Sequence, residues 1–107
     1  MSLKVNIISK LNELKTYKKE WDNLFSAFGK SPFQSFEFIY FSWINEFLHL
    51  TDNKISVIII KKRRSIVAIF PLYIDGYKRL RFINDQHSDY CDFICSNTIK
   101  ISEIKLN

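Results

Sequence analysis

Glycine, proline and cysteine are scarce in this sequence, with two residues of each among 107. Glycine lets backbone N–H groups approach a phosphate closely, so a chain with little glycine has few places for a phosphate-binding loop. Gly29 is predicted to end a helix and Gly76 to lie in a hairpin turn. Neither glycine therefore belongs to a phosphate-binding loop.

Long apolar runs are also missing. The longest, residues 66–74, contains Pro71 and is far shorter than the roughly 20 residues of a membrane-spanning helix. The N-terminal segment has no long apolar stretch of the kind found in signal peptides. We therefore expect a cytoplasmic protein that does not bind membranes.

The two cysteines, Cys91 and Cys95, are expected to be reduced in that compartment. On an extended strand they lie about 13 Å apart, which excludes a disulfide without a bend. A zinc site would need two further ligands, and only His87 is close in sequence. We expect two small buried side chains and no metal.

The overall composition is that of a folded domain. Apolar residues make up 47% of the sequence and charged residues 25%, which is typical of a globular domain. The length fits a single domain over residues 1–107. The net charge of +5 favours anionic partners without choosing among them.

Hydrophobic periodicity predicts two helices and five strands. The helices span residues 11–28, with Asn12 as a candidate cap, and Phe36 to about Leu50, capped by Ser35 with Glu37 in the first turn. The strands are predicted at residues 4–9, 55–60, 66–74, 77–83 and 89–95. The order β-α-α-β-β-β-β predicts an α+β fold, with two helices on a mainly antiparallel sheet. Residues 96–107 fit neither period, so they are either disordered or the start of a further helix.

Pro71 and the Asp75-Gly76 pair give two local predictions within these strands. Proline cannot donate to a strand ladder, so a bulge or an unpaired edge is expected at Pro71. Asp-Gly is a strong signal for a two-residue hairpin turn.

The second helix is apolar over most of its circumference. One stripe is expected to face the core, and the other to be exposed or covered by another chain. We predict an interface that comprises Phe38, Phe41, Trp43, Ile44 and Leu48.

Four segments carry a family resemblance. They are Glu20-Trp21-Asp22-Asn23-Leu24, Pro32-Phe33-Gln34-Ser35, Phe70-Pro71-Leu72-Tyr73, and Leu80-Arg81-Phe82-Ile83 followed by Asp89-Tyr90-Cys91-Asp92. In order and spacing they resemble the N-terminal half of a GNAT-type N-acyltransferase of the cellulose-biosynthesis (CelD-like) branch. Phe36 departs from that pattern, because the family usually has proline there.

The resemblance implies transfer of an acyl group from acetyl-CoA or another acyl-CoA to an amine or hydroxyl. The family binds the coenzyme pyrophosphate with a Q/R-x-x-G-x-G/A loop in its second half, and this sequence has no such pattern. The resemblance therefore implies an acceptor-side half that is inactive alone and holds no cofactor by itself. We expect a truncated product or a subunit, which self-associates or pairs with a second acyltransferase half.

The acceptor-site residues implied by the resemblance are Gln34, Asp89, Tyr90 and Asp92. His87 or Asp89 as general base and Tyr90 as general acid is the alternative catalytic interpretation. Neighbouring residues of a strand point to opposite faces, so Asp89 and Tyr90 are not expected to converge, and the catalytic residues stay unassigned.

Two basic clusters raise a nucleic-acid hypothesis. One spans residues 61–64, and the other comprises Lys78, Arg79 and Arg81. The predicted hairpins place them at opposite ends of one strand, roughly 25–30 Å apart. A charged turn that is simply solvated explains each cluster better than a continuous nucleic-acid stripe.

Overall fold

The structure is a computed structural model that describes residues 3–47, 52–83 and 93–96. The helices are α1 (Leu11–Lys15), α2 (Lys18–Phe28) and α3 (Phe36–Ser42), with a 3₁₀ turn at Pro32–Gln34 and a π-helical turn at Trp43–Phe47. The strands are β1 (Leu3–Ile8), β2 (Lys54–Ile55), β3 (Val57–Lys62), β4 (Ser65–Phe70), β5 (Leu72–Ile74), β6 (Leu80–Phe82) and β7 (Ile94–Cys95). Helices pack against antiparallel sheets, so the predicted α+β class is confirmed.

The larger sheet has the strand order β1-β3-β4-β7, and every described pairing is antiparallel. Its central strand β3 is buried on both faces, since Ile58 is 8% exposed and both Ile59 and Ile60 are 0% exposed. This agrees with the continuous apolar run from which the strand was predicted. The smaller sheet has the order β2-β5-β6.

Two buried clusters lie on the two faces of the larger sheet. The helices cover the first face, where the buried side chains include Ile8, Leu14, Trp21, Leu24, Ile39, Val57, Ile59, Ile69 and Ile94. The buried residues of the second face are Ile58, Ile60, Val67, Ala68, Phe70 and Leu72. A central strand with apolar side chains on both sides joins the two clusters.

Two predicted strands are each divided between the sheets. The strand predicted at 55–60 breaks at Ser56, whose N–H donates to the Leu72 carbonyl oxygen at 3.0 Å. The strand predicted at 66–74 breaks at Pro71, so the irregularity expected there is present as a change of sheet. A register shift does occur, but between Ile60 and Lys61. The prediction of single continuous strands was wrong because pairing partners change where the ladder is interrupted.

The predicted Asp75-Gly76 turn is wrong in detail. Strands β5 and β6 do form a hairpin, but the connection runs from Asp75 to Arg79. The left-handed residue is Lys78, with φ 63°, and neither glycine has a positive φ. The Asp75 side chain organises this longer loop, as described below.

The first predicted helix is interrupted. Hydrogen bonds from Thr16 N to Glu13 O and from Tyr17 N to Leu14 O, both 3.1 Å, tighten the chain between α1 and α2. The candidate cap Asn12 lies inside α1, which begins after Lys10 without a side-chain cap.

The second helix begins as predicted. Ser35 accepts a hydrogen bond from Phe38 N at 3.1 Å, and Glu37 lies in the first turn. Its α-helical part ends at Ser42 and continues as the π-helical turn.

The last described strand belongs to the larger sheet. Strand β7 pairs with β4, with Ala68 opposite Cys95 and Ile69 opposite Ile94. Although β7 follows β6 in the chain, the two strands lie in different sheets. None of the helices among the described residues has the length and apolar character needed to cross a bilayer.

Candidate functional site

Residues of two resembling segments meet the backbone of Phe93, which directly follows the last segment, at one buried junction. Trp21 is 0% exposed, and its indole N–H donates to the Gln34 carbonyl oxygen at 3.0 Å. The Gln34 side chain in turn donates from Nε2 to the Phe93 carbonyl oxygen at 3.3 Å. These bonds tie α2, the loop before α3 and the segment leading into β7 to one another.

The local sequence of the loop accounts for this geometry. Ser31 caps the 3₁₀ turn, with its Oγ accepting from Phe33 N at 3.2 Å, and Pro32 takes the first position, where an N–H is not needed. Gln34 Oε1 accepts from Lys30 N at 2.7 Å and from Ser31 N at 3.3 Å. The short turn therefore places the Gln34 side-chain oxygen next to the backbone N–H groups of Lys30 and Ser31.

Gln34 was predicted to bind the acceptor substrate. The structure places it at 2% exposure, with both ends of its amide engaged by backbone groups of this chain. In this arrangement its side chain presents no polar group to a ligand. The other predicted acceptor-site residues, Asp89, Tyr90 and Asp92, lie outside the described residues, as does His87.

The described part of the chain contains no cluster of three or more His, Cys, Asp or Glu residues that could hold a metal ion. Cys95 is half-buried, and burial raises the pKa of its thiol while the charge of Lys30 opposes that shift. A raised pKa keeps the sulfur protonated and poorly nucleophilic near neutral pH.

The predicted interface is only partly exposed. Trp43 is 3% exposed and packs on Tyr73, with 5.9 Å between ring centroids. Phe41 is 55% exposed, whereas Phe38 and Ile44 are half-buried. Leu48 lies outside the described residues. Phe41 is therefore the principal apolar side chain that this surface offers to a partner.

In the basic cluster of the β5–β6 hairpin, two of the three cations lie against one carboxylate, that of Asp75. Asp75 accepts from Tyr77 N and Arg79 N, both at 2.9 Å, and its Oδ2 pairs with Arg79 Nε at 3.0 Å. Arg81 approaches the same carboxylate at 4.0 Å. The hydrogen bond from Arg79 N contributes most to a lowered pKa of Asp75, and burial opposes it. This cluster therefore stabilises its own loop.

The basic cluster of the β3–β4 turn has a different environment. Between this turn and α2 lie two adjoining cavities of about 330 and 450 Å³, which share Leu24, Phe28, Ser65 and Ile66 in their walls. We call this combined space the hairpin groove. Its rim carries Lys62, Arg63 and Arg64.

Arg63 occupies an uncommon backbone conformation in that rim. Its φ is 61°, in the left-handed region that costs a non-glycine residue about 1–2 kcal/mol. The basic run is recognisable in the sequence, but the groove is not, because its opposite wall comes from α2. The usable signal was the apolar pair Leu24 and Phe28 at the end of one helix, followed later by a basic turn between two buried strands.

Comparison of the chain with known protein families, with curated proteins and with solved structures finds no match.

Proposed function

We propose that this chain is the acceptor-side part of a GNAT-like acyltransferase, acting together with a separate acyl-CoA-binding part. The observation that supports this proposal most directly is the junction of Trp21, Gln34 and Phe93. Trp21 and Gln34 belong to two separate resembling segments, and Phe93 directly follows the last one, yet the three residues form one hydrogen-bond network. If the segments resembled the family only by chance, their residues would not be expected to contact one another in the fold.

The order of elements gives further support. A strand is followed by helices and then by antiparallel strands, and β1 pairs with the first long strand after the helices. The succession of a strand, helices and antiparallel strands agrees with the element order predicted from the sequence. The junction residues are structural, so they support a shared architecture and leave the acceptor unnamed.

The positions of the two glycines support the proposal that a separate part binds the coenzyme. Gly29 ends α2 with φ −66°, and Gly76 lies in the β5–β6 loop. Neither opens a helix of the described chain, so neither provides the exposed N–H groups with which helix N-termini hold phosphates. The coenzyme site is therefore assigned to the other part.

The first test is calorimetric titration of acetyl-CoA into the purified chain, with thiol release measured in parallel on a mixture of amines and amino sugars. We expect neither binding heat nor thiol release from the chain alone. Micromolar binding or turnover by the chain alone would contradict the proposed division.

The second test supplies the proposed acyl-CoA-binding part. The acyl-CoA-binding half of a CelD-like acyltransferase, produced as a separate polypeptide, is mixed with this chain and analysed by size-exclusion chromatography. We expect co-elution, and acetyl-CoA binding by the mixture. Two separate peaks at high concentration would count against an acyltransferase-like pairing.

A non-catalytic interaction module is the second candidate function. Phe41, at 55% exposure on α3, favours it, because a large exposed aromatic side chain is typical of protein–protein contacts. Sedimentation of the parent chain and a Phe41→Asp variant tests this candidate. Association that survives the substitution would remove α3 from consideration as the interface.

A further inference from the structure

The hairpin groove combines an apolar wall with a cationic rim. Leu24 and Phe28 from α2 face Ile66 from β4 across it. These side chains provide the apolar lining that small-molecule sites typically have. The volumes of about 330 and 450 Å³ lie in the range of sites that hold small organic molecules.

The positive charges of the rim are not neutralised by the described part of the chain. No described carboxylate forms an ion pair with Lys62, Arg63 or Arg64, in contrast to Arg79, which is paired with Asp75. The adjacent Lys61 points elsewhere, over the ring of Tyr17 at 5.1 Å. Three consecutive cations at one side of an apolar space therefore have their charges available.

One acidic group faces the same space. Glu20 lines the smaller cavity, on the α2 side and together with Arg64. Lys62 and Arg63 line the larger cavity, to which no carboxylate contributes. The potential is therefore most positive at the Lys62–Arg63 end, and an elongated anion is expected to place its charge there.

We propose that the hairpin groove binds a small organic anion whose apolar body lies between α2 and β4 and whose acidic group contacts Arg63 and its neighbours. The ligand class is an aliphatic or aromatic carboxylate, sulfonate or phosphate ester. A bare inorganic anion would leave the apolar wall unused, and a neutral apolar molecule would leave the cations unpaired. The site is independent of the proposed acyltransferase function, since it needs neither acyl-CoA nor a second half.

The chain offers a matched pair of variants for the test. Arg63 and Lys78 are both exposed cations at hairpin turns, with φ 61° and 63°. Arg63→Gly and Lys78→Gly each remove one positive charge and one left-handed non-glycine residue. Only the first changes the groove.

The probe is anilinonaphthalene sulfonate, an aromatic anion whose fluorescence rises in apolar sites, compared with the neutral phenylnaphthylamine. We expect the anion to bind the folded full-length chain more tightly than the neutral dye, and its affinity to fall with added salt. Arg63→Gly is expected to raise its Kd about fivefold to tenfold, and Lys78→Gly less than about twofold.

A second variant tests the opposite wall. Ala27 is exposed and lines the groove, so Ala27→Glu adds a negative charge there without disturbing the core. It is expected to weaken binding of the anion and to leave the neutral dye unaffected. Cooperative thermal unfolding of each variant establishes that the dye reports on a folded chain. Equal Kd values for Arg63→Gly and Lys78→Gly, equal binding of the two dyes, or no binding of the anion would each overturn the proposal.

Discussion

Replacing Gln34 with leucine tests whether this residue holds the fold together or serves a substrate. Leucine nearly preserves the volume but removes the acceptor for Lys30 N and Ser31 N and the donor for Phe93 O. Each backbone group left without a partner costs about 1–3 kcal/mol when fully buried, and less where water can reach it. Lys30 is exposed, and Ser31 and Phe93 are half-buried. We therefore expect a loss of about 2–4 kcal/mol.

That loss is a large fraction of the stability of a domain of this length, which is about 5–15 kcal/mol. Urea unfolding followed by tryptophan fluorescence is a suitable assay, because Trp21 and Trp43 are 0% and 3% exposed. We expect a lower midpoint with an unchanged slope, and a melting temperature lower by about 10–20 °C. A loss below about 0.5 kcal/mol would refute the structural role and favour the acceptor-site assignment.

Two further variants compare how much individual hydrogen bonds of this loop contribute to the stability of the fold. Ser31→Ala removes the cap of the 3₁₀ turn but keeps the Gln34 bonds, so it should cost less, about 1 kcal/mol. Gln34→Glu keeps the two acceptor bonds but sets a carboxylate against the Phe93 carbonyl oxygen. That contact and burial should raise the pKa of the new carboxyl group. The loss of unfolding free energy of Gln34→Glu relative to the parent should therefore shrink as the pH falls through that raised pKa.

The remaining predictions concern three separate positions. Gly29→Ala should destabilise the fold, because a Cβ would lie 2.6 Å from the Phe25 carbonyl oxygen. Gly76→Ala should cost less, because the nearest atom, Asp52 Cβ at 3.1 Å, needs to move by only a few tenths of an ångström. Equal melting temperatures of the two variants would contradict this. The pKa of Asp75 is lowered in the folded chain, so its stabilising effect is present above its unfolded pKa and is lost as the pH falls through the folded pKa. The difference in unfolding free energy between the parent and Asp75→Asn should therefore narrow in acid. A difference that stays constant with pH would count against this stabilising role of Asp75. Phe41→Asp should keep the fold and reduce any self-association in sedimentation, whereas Trp43→Asp should unfold the chain.

The features that sequence predicted correctly depend on local chemistry. The Ser35 cap needs only a hydroxyl next to a free N–H, and the helix end at Gly29 is set by the space beside Phe25. The buried strand β3 is recognisable because an uninterrupted apolar run must be covered on both faces. The interruption at Pro71 follows from its missing N–H.

The features that were missed depend on partners distant in sequence. Ser56 leaves one sheet because the Leu72 carbonyl accepts its N–H, and no pattern around residue 56 encodes that choice. Strand β7 pairs with β4 for the same kind of reason. Gln34 looked like a surface polar residue in a loop, and only the return of Phe93 to that loop shows that its amide is buried. Buried apolar runs and caps can be predicted in this way, but strand pairings and the walls of a groove cannot.

Backbone strain by itself does not identify the hairpin groove, because Arg63 and Lys78 share the same left-handed conformation. What distinguishes Arg63 is its position at the rim of an apolar groove, between two other available cations. Replacing either residue with glycine should stabilise the fold by up to about 1 kcal/mol, since relief of strain exceeds the added freedom of the unfolded chain. If Arg63→Gly gains stability and loses anion binding while Lys78→Gly only gains stability, the strained arginine is retained for its charge. If both variants gain stability and bind the dye like the parent, the two turns are equivalent and the rim has no selective role.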